Sequence, residues 1–253
     1  RIYSNLFEKT QFRHMHYLLR KQVILFAIIL FSSVSVLAQK QRYRPNHDDL
    51  PYYFGLTLGY NSSYLHQNKS PLFLQSDSVL SVEPGASGGI VMGLLATVKM
   101  TNRFEFRANP QLIIGGSKFM AYRLGPTKPG EASFQKQTLP ATLISLPLHF
   151  KFNSDRIGNF RTYLLGGIKL DTDLSSNSAA RLSEDLLKLK RNDFGFETGI
   201  GFNFYLPFVT VSPEIKFSYG LSNIHQYDRN LKYSNVLDKI QSRMIIFSIH
   251  LED

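Results

Sequence analysis

The feature that most constrains this chain is a period-two alternation of apolar and polar residues, which recurs over segments of roughly ten residues. In Phe104-Glu-Phe-Arg-Ala-Asn-Pro-Gln-Leu112 the even positions Phe104, Phe106, Ala108, Pro110 and Leu112 are apolar, whereas Glu105, Arg107, Asn109 and Gln111 are not. The same separation runs through Phe194–Phe204 and Val209–Leu221. Five further segments, Tyr53–Asn61, Gly89–Met100, Leu143–Phe152, Arg161–Leu170 and Ser242–Leu251, complete a set of eight expected strands. Beyond residue 38 no apolar run reaches the roughly 20 residues that a membrane-spanning helix needs.

Alternation alone does not separate a soluble sandwich from a membrane barrel, because both bury one face of each strand. Two further features favour the barrel. The polar faces carry many glycines, among them Gly55, Gly59, Gly93, Gly167, Gly195 and Gly201, which suits a narrow, crowded lumen better than a water-exposed sheet face. The connections also alternate in length. Thr101–Arg103, Asn153–Phe160 and Leu206–Phe208 are turns, whereas Ser62–Gly88, Ile113–Thr142, Asp171–Asp193 and Ser222–Gln241 are long. Bacterial outer-membrane barrels have short periplasmic turns and long external loops. The expectation is therefore an all-β fold, an eight-stranded antiparallel up-and-down transmembrane β-barrel with both termini periplasmic. One extracellular loop is expected to contain a short amphipathic helix, Ser178–Lys190, with Leu182, Leu186 and Leu189 at helical spacing.

The N-terminal part reads as a leader. Met15 is followed by Arg20-Lys21, an apolar run from Val23 to Val36 and Val36-Leu37-Ala38, the layout of a secretory signal peptide at 15–38 with cleavage after Ala38. At about 14 residues the run is short for a spanning helix. Residues 1–14 match no leader element and read as a non-native upstream extension. Residues 39–51, polar and containing Arg42, Arg44 and Pro45, read as a flexible periplasmic lead-in, and 52–253 as the barrel. The chain has no Cys, which excludes disulfide scaffolds and thiolate chemistry. Residues 1–38 carry Arg1, Lys9, Arg13, Arg20 and Lys21 against Glu8, leaving +6 of the net +10 to the remainder. Without a basic cluster interleaved with aromatics, this charge is no nucleic-acid signature.

An eight-stranded barrel leaves an interior that side chains fill. The expected inward set, Lys99, Glu105, Arg107, His149, Lys151, Lys169, Glu197, Glu214 and Lys216, has both signs nearly balanced. It should form an ion-pair network that plugs the lumen, since unpaired buried charge is very costly. Tyr52, Tyr53, Tyr60, Phe104, Phe152, Phe160, Tyr205, Phe208 and Tyr219 lie at strand ends, where aromatic girdles form.

No arrangement of residues specifies catalysis. Ser145 and His149 share a strand face, but four residues on a strand span about 13 Å, beyond hydrogen-bond reach. Asp171 and Asp173 lack the further oxygen ligands that a hard cation requires and read as a solvated loop. Gly85–Gly89 and Gly195–Gly201 lack the strand–helix setting and Lys of a phosphate cradle. No catalytic residue, cofactor, metal, small-molecule substrate or nucleic acid is expected.

Tyr52-Tyr-Phe-Gly-Leu-Thr-Leu-Gly-Tyr-Asn61, Phe73–Leu80, Gly88–Ala96, Phe150–Arg156 and Pro213–Leu221 together, in their order and spacing, resemble the PorT family of Bacteroidota. The resemblance implies an outer-membrane component of the type IX secretion system, which exports cargo with C-terminal sorting domains. It implies no catalytic residues. The expected partners are outer-membrane lipid and other secretion or envelope proteins. The alternatives are a general barrel for adhesion or envelope stability, and a lipid-modifying barrel.

Overall fold

The computed structural model of the chain describes residues 42–71, 73, 79–115, 118–125, 133–139, 141–175, 189–226 and 236–253. The leader expected at 15–38, the upstream residues 1–14 and most of the helix expected at Ser178–Lys190 lie outside the described residues. Among the described residues twelve strands form: β1 (Tyr52–Lys69), β2 (Val79–Gly85), β3 (Ser87–Lys99), β4 (Phe104–Ala108), β5 (Gln111–Ile114), β6 (Lys118–Leu124), β7 (Phe134–Leu139), β8 (Thr142–Asn153), β9 (Phe160–Asp173), β10 (Asn192–Tyr205), β11 (Thr210–Gly220) and β12 (Leu237–Glu252).

Nine of these build one antiparallel sheet in the order β1-β12-β11-β10-β9-β8-β4-β3-β5, and β1 also pairs with β3. The sheet therefore closes on itself. Because β4 and β5 follow one another along the same gap between β3 and β8, they count as one stave, and the ring has eight. The seam is long, running from Gly55↔Glu252 to Lys69↔Leu237. The stave formed by β4 and β5 was expected to be continuous. It breaks at Asn109-Pro110 because proline has no N–H for the ladder. The bonds around the break are irregular: Leu94 N–H donates to the Pro110 carbonyl (3.0 Å) and Asn109 N–H to the Pro147 carbonyl (3.1 Å).

One end of the barrel carries short turns. At β3–β4, Thr101 Oγ1 accepts from the Phe104 and Arg103 N–H groups, at 3.0 and 3.3 Å. At β8–β9, Gly158 adopts φ +61°, a left-handed conformation that glycine adopts readily. At the other end β1 and β12 continue past the ring, and β2, β6 and β7 form a separate three-stranded antiparallel sheet. This crown has its own apolar core, with Leu65, Val82, Met120, Tyr122, Leu237 and Ile240 buried together. Gln67 Nε2 ties β1 to the Val82 carbonyl at 2.7 Å. The long connections read from sequence as loops are thus in part β-structure.

Outward-facing positions of the staves are apolar and exposed, as with Phe54, Leu56, Leu58, Leu94, Phe150 and Phe202. An exposed apolar band of this extent marks a surface that meets lipid or protein and not water. A closed antiparallel ring also leaves no backbone edge unsatisfied there.

Candidate functional site

Inside the ring, period-two geometry delivers a charged side chain from almost every stave. Two residues apart on β4, Glu105 and Arg107 both point inward, at 3% and 1% exposure. Arg107 forks between two carboxylates, with Nη1 at 2.8 Å from Glu214 Oε2 and Nη2 at 2.9 Å from Glu252 Oε1. Glu214 also accepts from the Tyr163 hydroxyl at 2.7 Å and lies 3.3 Å from His250 Nε2. Lys151 sits 3.3 Å from Glu105, and its ammonium lies 4.1 Å from the centre of the Tyr163 ring. Lys169 contacts Asp171 at 2.6 Å. Glu197 lies 2.9 Å from His149 Nε2 and 3.5 Å from Lys216 Nζ. Matching each charge in this way offsets the desolvation that burial imposes, and removing one partner strands the other.

Lys99 stands apart from this cluster. It is half-buried at the turn-bearing mouth, where Nζ donates to the His47 carbonyl. Several lumen residues escaped the sequence reading. His250 lies within the expected strand Ser242–Leu251 but was left out of the inward set, Glu252 lies one residue beyond it, and Tyr163 and Tyr53 are inward phenols, Tyr53 donating to Glu105 at 2.8 Å. Tyr53 and Tyr205, assigned from sequence to the girdles, are only 4% and 1% exposed. The correction has a simple cause: Tyr52 and Tyr53 are consecutive, so only one can face outward. Tyr52, Tyr60, Phe104, Phe152 and Phe208 are exposed on the outer side. Nor is the inner face polar throughout. Val91, Ile113, Leu143, Met244 and Ile246 pack inward as an apolar cluster on the crown side of Arg107.

Ser145 and His149 do not meet as a hydroxyl–base pair. Ser145 donates to Asp171 (2.5 Å), whereas His149 is held by Glu197. Asp171, read from sequence as part of a solvated loop, is instead buried within the lumen between Lys169 and Ser145. No group of three or more His, Asp or Glu among the described residues could hold a metal ion.

The mouth is closed by a strap, Tyr43–Leu50, in place of the flexible lead-in expected at 39–51. A short 3-10 turn at Pro45–Asp49 buries His47 between the rings of Tyr53 and Tyr205, at centroid distances of 5.1 and 5.6 Å. Arg156 lies flat on the Tyr205 ring, 3.6 Å from its centroid. Its guanidinium holds Asp48 (3.1 Å), the Arg44 carbonyl (3.3 Å) and the Tyr43 carbonyl. Arg161 takes the other Asp48 oxygen at 3.2 Å. Arg44 reaches Thr210 and the Glu252 carbonyl, each at 3.1 Å. Burial, and after it the nearby charges of Arg44 and Lys99, lowers the His47 pKa from 6.5 to about 4, so the docked imidazole is neutral.

A family model for the outer membrane protein beta-barrel domain matches residues 37–226. The chain belongs to that family. It is accordingly an outer-membrane β-barrel protein, and the exposed apolar band is its lipid-facing wall. Similar solved structures include Neisserial surface protein A, at 12% identity, 78% of this chain, 96% of that chain and TM-score 0.40. OprG from Pseudomonas aeruginosa is similar at 14% identity, 78% and 94% coverage and TM-score 0.39. The outer membrane protease OmpT from Escherichia coli is similar at 10% identity, 85% and 98% coverage and TM-score 0.44. No shared activity follows from likenesses this distant. No curated protein sequence matches the chain.

Proposed function

We propose that this barrel is a non-enzymatic accessory of type IX secretion, working by binding other envelope proteins and not by conducting or catalysing. One observation carries the reading: charged side chains paired across the lumen, as in Arg107 with Glu214 and Glu252, fill the interior, which leaves the ends of the barrel as its working surfaces. The ordered resemblance of Tyr52–Asn61, Gly88–Ala96, Phe150–Arg156 and Pro213–Leu221 to the PorT family supplies the pathway. In this reading residues 15–38 are a cleaved leader, the strap end faces the periplasm and the crown faces outward.

The test is deletion of the gene, followed by assay of secretion of cargo bearing the C-terminal sorting domain. Loss of secretion, restored by the intact gene, is expected; normal secretion contradicts the reading. A second reading, a surface-binding barrel for adhesion or envelope stability, is favoured by the crown, where Leu80 and Phe134 are exposed. It gains if deletion leaves secretion intact and alters surface attachment.

A further inference from the structure

The strap is held at its mouth in the manner of a bound peptide. The groups that grip it come from the turn between β8 and β9, from the start of β9 and from the end of β3. Lys99 and Arg156 cap the main-chain carbonyls of Tyr43, Arg44 and His47, and Arg156 and Arg161 share the Asp48 carboxylate. The side chains of Arg156 and Arg161 are buried, at 2% and 11% exposure. Two guanidiniums converging on a carboxylate, with cationic donors aimed at backbone oxygens, form a receptor for an acidic peptide. If the strap leaves, those cations lose their anion, and two guanidiniums converging on one point at the mouth attract another carboxylate.

The geometry points to the strap-end mouth as a binding site for an acidic, extended segment of a partner envelope protein, which the barrel's own residues 43–50 occupy in cis. A peptide suits the site better than a phosphate headgroup does. The capped carbonyls of Tyr43, Arg44 and His47 are spread along a main chain, whereas the oxygens of a phosphate cluster on one atom, and Arg156 is held in place by stacking on Tyr205. The inference rests on the mouth alone and is independent of the secretion reading.

The chain lacks Cys, so an Asn46→Cys variant of the full chain in lipid vesicles takes a single spin label on the exposed side of the strap. The probe is a synthetic peptide copying residues 43–51, added at roughly millimolar concentration to compete with the tethered strap. The peptide should mobilise the label, and its analogue with Asn in place of Asp48 should be about tenfold less effective. Arg161→Gln, verified as folded by heat-modifiable gel migration, should reduce that discrimination to a few-fold, since Arg156 still holds one Asp48 oxygen. The inference fails if both peptides act alike, if the strap stays docked throughout, or if inorganic phosphate or phosphatidylglycerol vesicles displace it equally well.

Discussion

Arg107 on β4 and Glu214 on β11 face each other across the interior of the ring, 2.8 Å apart with each side chain 1% exposed. They come from non-adjacent staves, so the pair spans the barrel and does not merely decorate one wall. Losing the cation leaves Glu214 and Glu252 together without it. Arg107→Met should therefore lower stability by about 3–5 kcal/mol, and adding Glu214→Gln and Glu252→Gln should recover much of that loss. Urea unfolding in lipid vesicles, followed by gel migration, reads both effects.

The filled lumen also predicts electrical silence. Reconstituted into planar bilayers, the protein should show no discrete conductance steps, because charges paired as Lys151 with Glu105 and Lys169 with Asp171 leave little room for hydrated ions. Steady single-channel steps from pure protein would contradict the packing described above.

Strap docking should depend on pH through His47. Its pKa is lowered from 6.5 to about 4 when docked, so the docked state opposes protonation. Docking is then at full strength above pH 6.5 and weakens as pH falls from 6.5 through about 4. The loss reaches about 3 kcal/mol at the acid end. Label mobility at position 46 should rise over that window, and His47→Gln should flatten the response.

Gly201 on β10 lies against the ring of Tyr163, and a Cβ there would overlap it. Gly201→Val should force Tyr163 away from Glu214 and cost about 1–3 kcal/mol of overpacking, read as a lower urea midpoint with the barrel still formed.

The staves were legible because lipid on one side and a packed lumen on the other write a two-residue period into each, as in Phe194–Phe204. Which carboxylate each cation meets was not legible, since it depends on register and on staves distant in sequence, as with Arg107 and Glu252. The crown strands were missed for a related reason. β2 and β7 are seven and six residues long, and their core with Leu65 and Leu237 assembles from separate connections with no local periodicity. The strap was read as mobile because Arg44, His47 and Asp48 look solvated until the partners on β9, β11 and the β8–β9 turn are known. Tyr53 and Tyr205 are a different matter: strict alternation applied to their neighbours would have placed both inside.

Everything turns on which face of the staves meets lipid, and site-directed spin labelling along β10 addresses that directly. Single Cys residues placed in turn from Phe194 to Phe204 in the Cys-free chain, labelled in lipid vesicles, report collisions with oxygen, which concentrates in hydrocarbon. High oxygen accessibility at 194, 196, 198, 200, 202 and 204, alternating with low values at 195, 197, 199, 201 and 203, is expected from the burial pattern of this strand. The opposite phase, or accessibility without a two-residue period, would contradict a lipid-facing apolar wall around a charged core.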